Sequence, residues 1–160
     1  MSPHAAAGKY LTFFLGAEEY GMEILAVHEI IGVLPITRVP RTPQFVRGVI
    51  NLRGRVISIL DLRLKFDLPS IEPGPTNCII VVAAHAAHVG LLVDRVSEVA
   101  DIGAQDIEPP PPLGAGVRTD YLLGIAKSAA RVRLLLDITR VIDAADLAPV
   151  GPAAASTTAA

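Results

Sequence analysis

Gly48-Val49-Ile50-Asn51-Leu52-Arg53-Gly54-Arg55-Val56-Ile57-Ser58-Ile59-Leu60-Asp61-Leu62-Arg63-Leu64-Lys65-Phe66 is the stretch that decides the fold. Asn51-Leu52-Arg53-Gly54 is a turn between two apolar runs. Gly54 can take a positive φ without steric penalty, as a tight hairpin requires. Val56, Ile57, Ile59 and Leu60 then form a strand that is too apolar on both faces to stand alone in water. Arg53 is held at the mouth of the hairpin. A charged fork on a rigid tip is either a contact surface or a solvated turn residue, and both readings stand at this point.

The segment has an echo. Sliding the chain by 76 residues puts Gly48, Arg55, Val56, Leu60 and Asp61 on identical residues at Gly124, Arg131, Val132, Leu136 and Asp137, with no gap. A second echo, at an offset of 69, carries Gly21 to Gly90, Val27 to Val96, Glu29 to Glu98 and Pro40 to Pro109. An insertion of seven residues within Pro110–Asp120 accounts for the difference between the offsets. Together and in order, the echoes argue for two similar halves, and repeats of this length fit paired small β-domains better than a solenoid.

The composition is 51% apolar and 4% aromatic with no Trp, so Leu, Ile, Val and Ala must fill the core. A net charge of −2 gives no general reason to expect nucleic acid or an anionic membrane. The distribution is less even. From Arg38 to Lys65 there are six Arg and one Lys against the single acid Asp61. That face is either a solubilising surface or a docking surface for an acidic partner. Cys78 is the only cysteine, which fits a reducing compartment. There is no signal-peptide pattern and no apolar run of the roughly 18 residues needed to span a bilayer. The expected location is cytoplasmic.

Residues 1–8 and 147–160 are rich in Ala, Pro, Ser and Thr and are expected to be disordered tails. Between them, Tyr10–Leu15, Tyr20–Ile24, Ile79–Ala83, Val89–Val93, Arg95–Val99, Tyr121–Ile125 and Val132–Ile138 read as strands. Ala26–Ile31 reads as a strand or a brief helical turn, and Thr139–Leu147 as a short C-terminal helix. The proline-containing stretch Leu68–Thr76 separates halves of about 9–68 and 76–143. Exchange of strands between the halves is left open. Many short strands with frequent turn signals indicate an all-β barrel architecture.

No catalytic constellation emerges. His85-Ala86-Ala87-His88 sits at a hairpin tip with no Cys or carboxylate beside it, so no metal site is expected. His28 adjoins Glu29 in an extended stretch, where neighbours point to opposite faces. Asp61 and Asp137 are equivalent in the two halves, but neither lies in the Asp-Ser/Thr-Gly turn of an aspartic-protease dyad. Both read as capping aspartates at strand ends. There is no phosphate loop and no nucleophile elbow. The chain is expected to be a non-enzymatic binding module without cofactors.

Phe14-Leu15-Gly16, Val27-His28-Glu29-Ile30, Val39-Pro40 and the Gly48–Gly54 box occur in an order that resembles the CheW family of chemotaxis coupling proteins. So do Asp61-Leu62-Arg63, the strand Val89–Asp94, Tyr121–Ile125 and Leu135–Ile138. The match covers Lys9 to Asp143, within a domain expected at 9–146. The resemblance implies two five-stranded Src-homology-like β-barrels sharing a hydrophobic seam. It implies an adaptor joining the cytoplasmic tip of methyl-accepting chemotaxis receptors to the regulatory domain of the histidine kinase CheA. Related CheW-like chains in rings are further implied partners, and recruitment to membrane receptor arrays follows. Neither nucleic acid nor membrane insertion is implied.

By the resemblance, receptor-groove positions fall on Val27, Glu29, Ile30 and Arg53. Glu29 and Arg53 can pair across the seam, and Val27 and Ile30 can offer apolar contact to a partner helix. Leu113, which follows Pro109–Pro112, matches a kinase-contacting position. Phe45 sits one position from the corresponding site in the first half. Ser58 stands where many relatives have Pro, and Lys127–Arg131 lacks the Gly common at that tip. With no receiver or kinase domain attached, a standalone adaptor is expected. Two alternatives accompany this reading. One is the same role in a chemotaxis-like pathway for twitching or gliding motility. The other is a nucleic-acid-binding barrel, which the scarcity of aromatics in Arg38–Lys65 disfavours.

Overall fold

The computed structural model describes residues 7–66, 68–69, 74–110, 121–128 and 131–142. Its central hairpin joins β4 (Val46–Leu52) to β5 (Arg55–Asp61) through Arg53 and Gly54 alone. Both turn residues have positive φ, +52° and +88°. This is the geometry that matches the twist of the flanking strands. The Gly54 N–H donates to Asn51 Oδ1 at 2.7 Å, which fixes the turn.

The remaining strands are β1 (Gly8–Leu15), β2 (Glu18–Glu23), β3 (Val27–Gly32), β6 (Cys78–Ala84), β7 (Ala87–Val93), β8 (Arg95–Ile102), β9 (Ile107–Glu108), β10 (Leu122–Ser128) and β11 (Arg131–Leu136). Two short helices, α1 (Leu62–Lys65) and α2 (Ile138–Val141), follow β5 and β11. Two sheets result, ordered β8-β1-β2-β11-β10-β9 and β3-β6-β7-β5-β4. The five-stranded plan holds for the second sheet, and the two-residue β9 adds a sixth strand to the first. The N-terminal hairpin of each half lies in the sheet built by the other half's later strands. Two parallel junctions make this exchange, β2 with β11 and β5 with β7.

The echoes have physical reasons. Gly21 faces Leu135 across one parallel junction, and Gly90 faces Ile59 across the other. A Cβ on Gly90 would lie 2.5 Å from Ile59 Cδ1, and one on Gly21 would lie 3.0 Å from Leu135 Cδ2. The glycines therefore let the exchanged strand approach. Asp61 and Asp137 also act alike. Each donates its N–H at 2.7 Å, to Phe45 O and Tyr121 O respectively, and each caps the helix that follows.

Apolarity on both faces of the strands is explained by two kinds of core. One large cluster contains Leu11, Phe13, Met22, Leu60, Ile80, Val82, Leu91 and Leu136, and it joins the two sheets along a seam. Ile57, Ile59, Ile79 and Val81 instead fill the interior of the five-stranded sheet. Tyr10, Ile102, Ala126 and Leu135 fill the six-stranded one. Adjacent residues such as Ile79 and Ile80 thus enter different cores, because successive side chains leave a strand on opposite faces.

Some boundaries differ from expectation. Strand β1 begins at Gly8, within the expected tail, because it pairs with Ile102 of β8. A 3-10 turn at Ile24–Ala26 ends the second strand early and starts β3 at Val27. The first helix, α1, was not anticipated; it forms because Asp61 accepts from the N–H groups of Arg63 and Leu64. The C-terminal helix starts at Ile138 rather than Thr139, since Asp137 caps it, and the expected stretch beyond 142 lies outside the described residues. Among the described residues, no helix is long and apolar enough to cross a membrane.

Candidate docking site

Arg53 lies on the two-residue turn, with its side chain 66% exposed, and donates from Nη2 to Glu29 Oε2. Glu29 comes from β3, an edge strand of the same sheet. The pair therefore joins two margins of one sheet, a correction to the expectation that it bridges the seam between the halves. The sheet curves until the tip of the β4–β5 hairpin reaches β3. Bonding to Glu29 fixes the direction in which the guanidinium fork presents its remaining donors.

The apolar candidates divide. Ile30 is 43% exposed on the outward face of β3. Val27 is partly buried and packs against the seam cluster. A register shift between Val27 and Glu29, opposite β6, marks the bulge where β3 starts. Phe45 is also partly buried against the seam, and Lys65 Nζ stands 4.2 Å from its ring centroid. Leu113 lies outside the described residues.

Sequence reasoning missed two features. Val99 is 52% exposed on β8. The offset of 69 that links Glu29 to Glu98 also carries Ile30 to Val99, so the signal was present. The other feature is a side-chain chain across three strands. The rings of His28 and His88 stack with centroids 4.4 Å apart. His88 Nδ1 lies 2.7 Å from Arg55 Nη2, and His28 Nε2 lies 3.9 Å from Glu29 Oε2. Burial, then the Arg55 charge and His28, hold the His88 imidazolium below its ordinary pKa, with Glu29 opposing. Nothing in local sequence links residues so far apart.

The two halves have diverged at this place. Glu98, the counterpart of Glu29, pairs with Arg133 at 2.8 Å. The residue at the position of Arg53 is Ala129, which lies outside the described residues.

An internally duplicated pair of sheets, exchanging hairpins and meeting along an apolar seam, defines a class of small two-sheet β proteins. The chain belongs to the CheW-like domain family, whose model matches residues 9–146. It is 38% identical over 148 residues to the chemotaxis protein CheW of Klebsiella aerogenes, covering 92% of this chain and 89% of that one. It is 28% identical over 139 residues to Protein FrzA of Myxococcus xanthus, covering 86% of each. The crystal structure of the scaffolding protein TtCheW from Thermoanaerobacter tengcongensis superposes with a TM-score of 0.79 at 34% identity, covering 88% of this chain and 95% of that one.

Proposed function

We propose that this chain is a non-catalytic chemotaxis adaptor that couples the cytoplasmic tip of methyl-accepting receptors to the histidine kinase CheA. The observation that carries the reading is the Arg53–Glu29 pair beside the outward-facing Ile30, in a chain of the CheW-like family. A partner helix laid along β3 would place apolar side chains on Ile30 and a polar group on the free donors of Arg53. Val27 shapes that surface from beneath, through its packing on the seam. Leu113 and Phe45 are assigned to the kinase-facing side on the family resemblance. The adaptor works in the cytoplasm and is recruited to membrane arrays by the receptors it binds, where it takes its place in rings with the kinase and with further CheW-like chains.

A pull-down with separate receptor-tip and kinase regulatory-domain fragments tests this. Retention of both fragments, and of both at once, is expected; retention of neither would overturn the reading. Similarity to Protein FrzA favours a second version, in which the same adaptor role serves a chemotaxis-like pathway for twitching or gliding motility. Deleting the gene and scoring swimming against surface motility separates the two.

A further inference from the structure

The two echoes bring one more pair of positions into register. Offset 76 carries Arg55 to Arg131, and offset 69 carries Glu19 to His88. In the six-stranded sheet, Arg131 Nη2 pairs with the Glu19 carboxylate. In the five-stranded sheet, the arginine meets an imidazole instead, with Arg55 Nη2 2.7 Å from His88 Nδ1. The same architecture thus supplies a carboxylate in one sheet and leaves it out in the other. Among the described residues, no carboxylate pairs with Arg55.

The surroundings sharpen the imbalance. Strand β3 contributes His28 and Glu29, β7 contributes His88, β5 contributes Arg55, and the hairpin tip contributes Arg53. Opposite His88, β6 offers Ala83, and opposite Arg55, β4 offers Leu52. One acid, already bonded to Arg53, faces two arginines and two histidines. Beside them Val56 is 52% exposed. A groove of about 210 Å³ lined by Arg55, Val56, Ser58 and His88 opens there.

We infer that Arg55 and His88, backed by His28, form a carboxylate-accepting subsite filled by an Asp or Glu side chain of the docked partner helix. This rests on the adaptor reading and names the partner's chemistry at that site. The incoming carboxylate takes the place that Glu19 holds beside Arg131. It accepts from Arg55 Nη2 on one side and from His88 Nδ1–H on the other. His88 takes up a proton from solvent as the carboxylate arrives, and the stacked His28 ring faces the resulting imidazolium. Binding and proton uptake are linked, so affinity rises as pH falls through the histidine range.

Calorimetric titration of a receptor hairpin-tip fragment at about pH 6 and about pH 8 tests this on the full chain. The wild type should bind about threefold or more tighter at the lower pH. Arg55→Gln should weaken binding about tenfold, through loss of a charged hydrogen bond. His88→Glu restores the six-stranded sheet's pairing internally. It should raise the melting temperature, lower the affinity for the fragment and flatten the pH dependence. A wild type that binds equally at both pH values, or Arg55→Gln and His88→Glu proteins that bind as it does, would overturn the subsite while leaving the adaptor reading standing. Absence of wild-type binding at either pH would overturn both.

Discussion

Glu29 and Arg53 are held by separate margins of one five-stranded sheet, yet their side chains hydrogen-bond. The contact closes the sheet's curve at the rim and leaves the arginine largely in solvent. Exposed ion pairs of this kind contribute less than about 1 kcal/mol. Arg53 also occupies a positive-φ position, where a non-glycine residue carries backbone strain of order 1 kcal/mol.

Arg53→Ala should therefore shift stability by no more than about 0.5 kcal/mol and weaken receptor-fragment binding about tenfold or more. Arg53→Gly should lose the same binding while melting no lower than Arg53→Ala. Melting curves beside a binding titration decide this. A large loss of stability with unchanged affinity would make Arg53 a structural residue.

Asp61 and Asp137 occupy equivalent caps but different surroundings. Asp61 is 2% exposed and accepts from Arg47 Nε at 2.9 Å in addition to its cap bonds. The Asp137 carboxylate is more open, accepting from the backbone and side chain of Thr139. Asp61→Ala should cost about 3 kcal/mol because it removes both the helix cap and a charged hydrogen bond from a buried position. Asp137→Ala should cost about 1 kcal/mol, the ordinary loss of a cap. Urea denaturation of the two variants gives the comparison, and equal losses would contradict it.

Asp94 receives two hydrogen bonds from Arg63, at 2.8 and 2.6 Å, and one from the Gly16 N–H at 2.6 Å. The Arg63 hydrogen bond holds the Asp94 pKa below the usual carboxylate value, against the opposing effect of burial. A carboxylate depressed in the folded state gives stability that is present above its unfolded pKa and lost as pH falls through the folded value. The wild type should lose stability steadily below about pH 4. Asp94→Asn should be weaker at neutral pH and flatter through that acid range. Identical acid profiles would show that the pair contributes nothing.

Leu113→Ser should reduce affinity for the kinase regulatory domain about thirtyfold, as expected of an apolar anchor truncated at an interface. Receptor-fragment affinity should stay the same. Surface plasmon resonance against each fragment separates the two, and equal loss on both would remove Leu113 from the kinase-facing role.

Local patterns carried much of the fold. Alternating apolar residues located the strands, Arg53-Gly54 located the central turn, and the shared glycines and aspartates exposed the duplication. Strand partners were not legible, because a strand's residues state which faces are buried but not which neighbour it meets. The parallel junctions at Gly21–Leu135 and Gly90–Ile59 therefore appeared only in three dimensions. The same limit governs the site. The family resemblance brought Glu29 and Arg53 together and their opposite charges suggested the pairing, but neither indicates that both belong to one sheet. The His28–His88 stack joins positions far apart in sequence, and only sheet order brings them together.

The central claim is coupling, and kinase output reports it most directly. Membrane-embedded receptor and the kinase CheA would be mixed with and without this chain, and phosphate transfer from ATP to the kinase followed over time. The account predicts strong receptor-dependent activation only when the chain is present, lost with Arg53→Ala. Activation that is unchanged by adding the chain, in a mixture where the receptor and kinase are each functional, would contradict it.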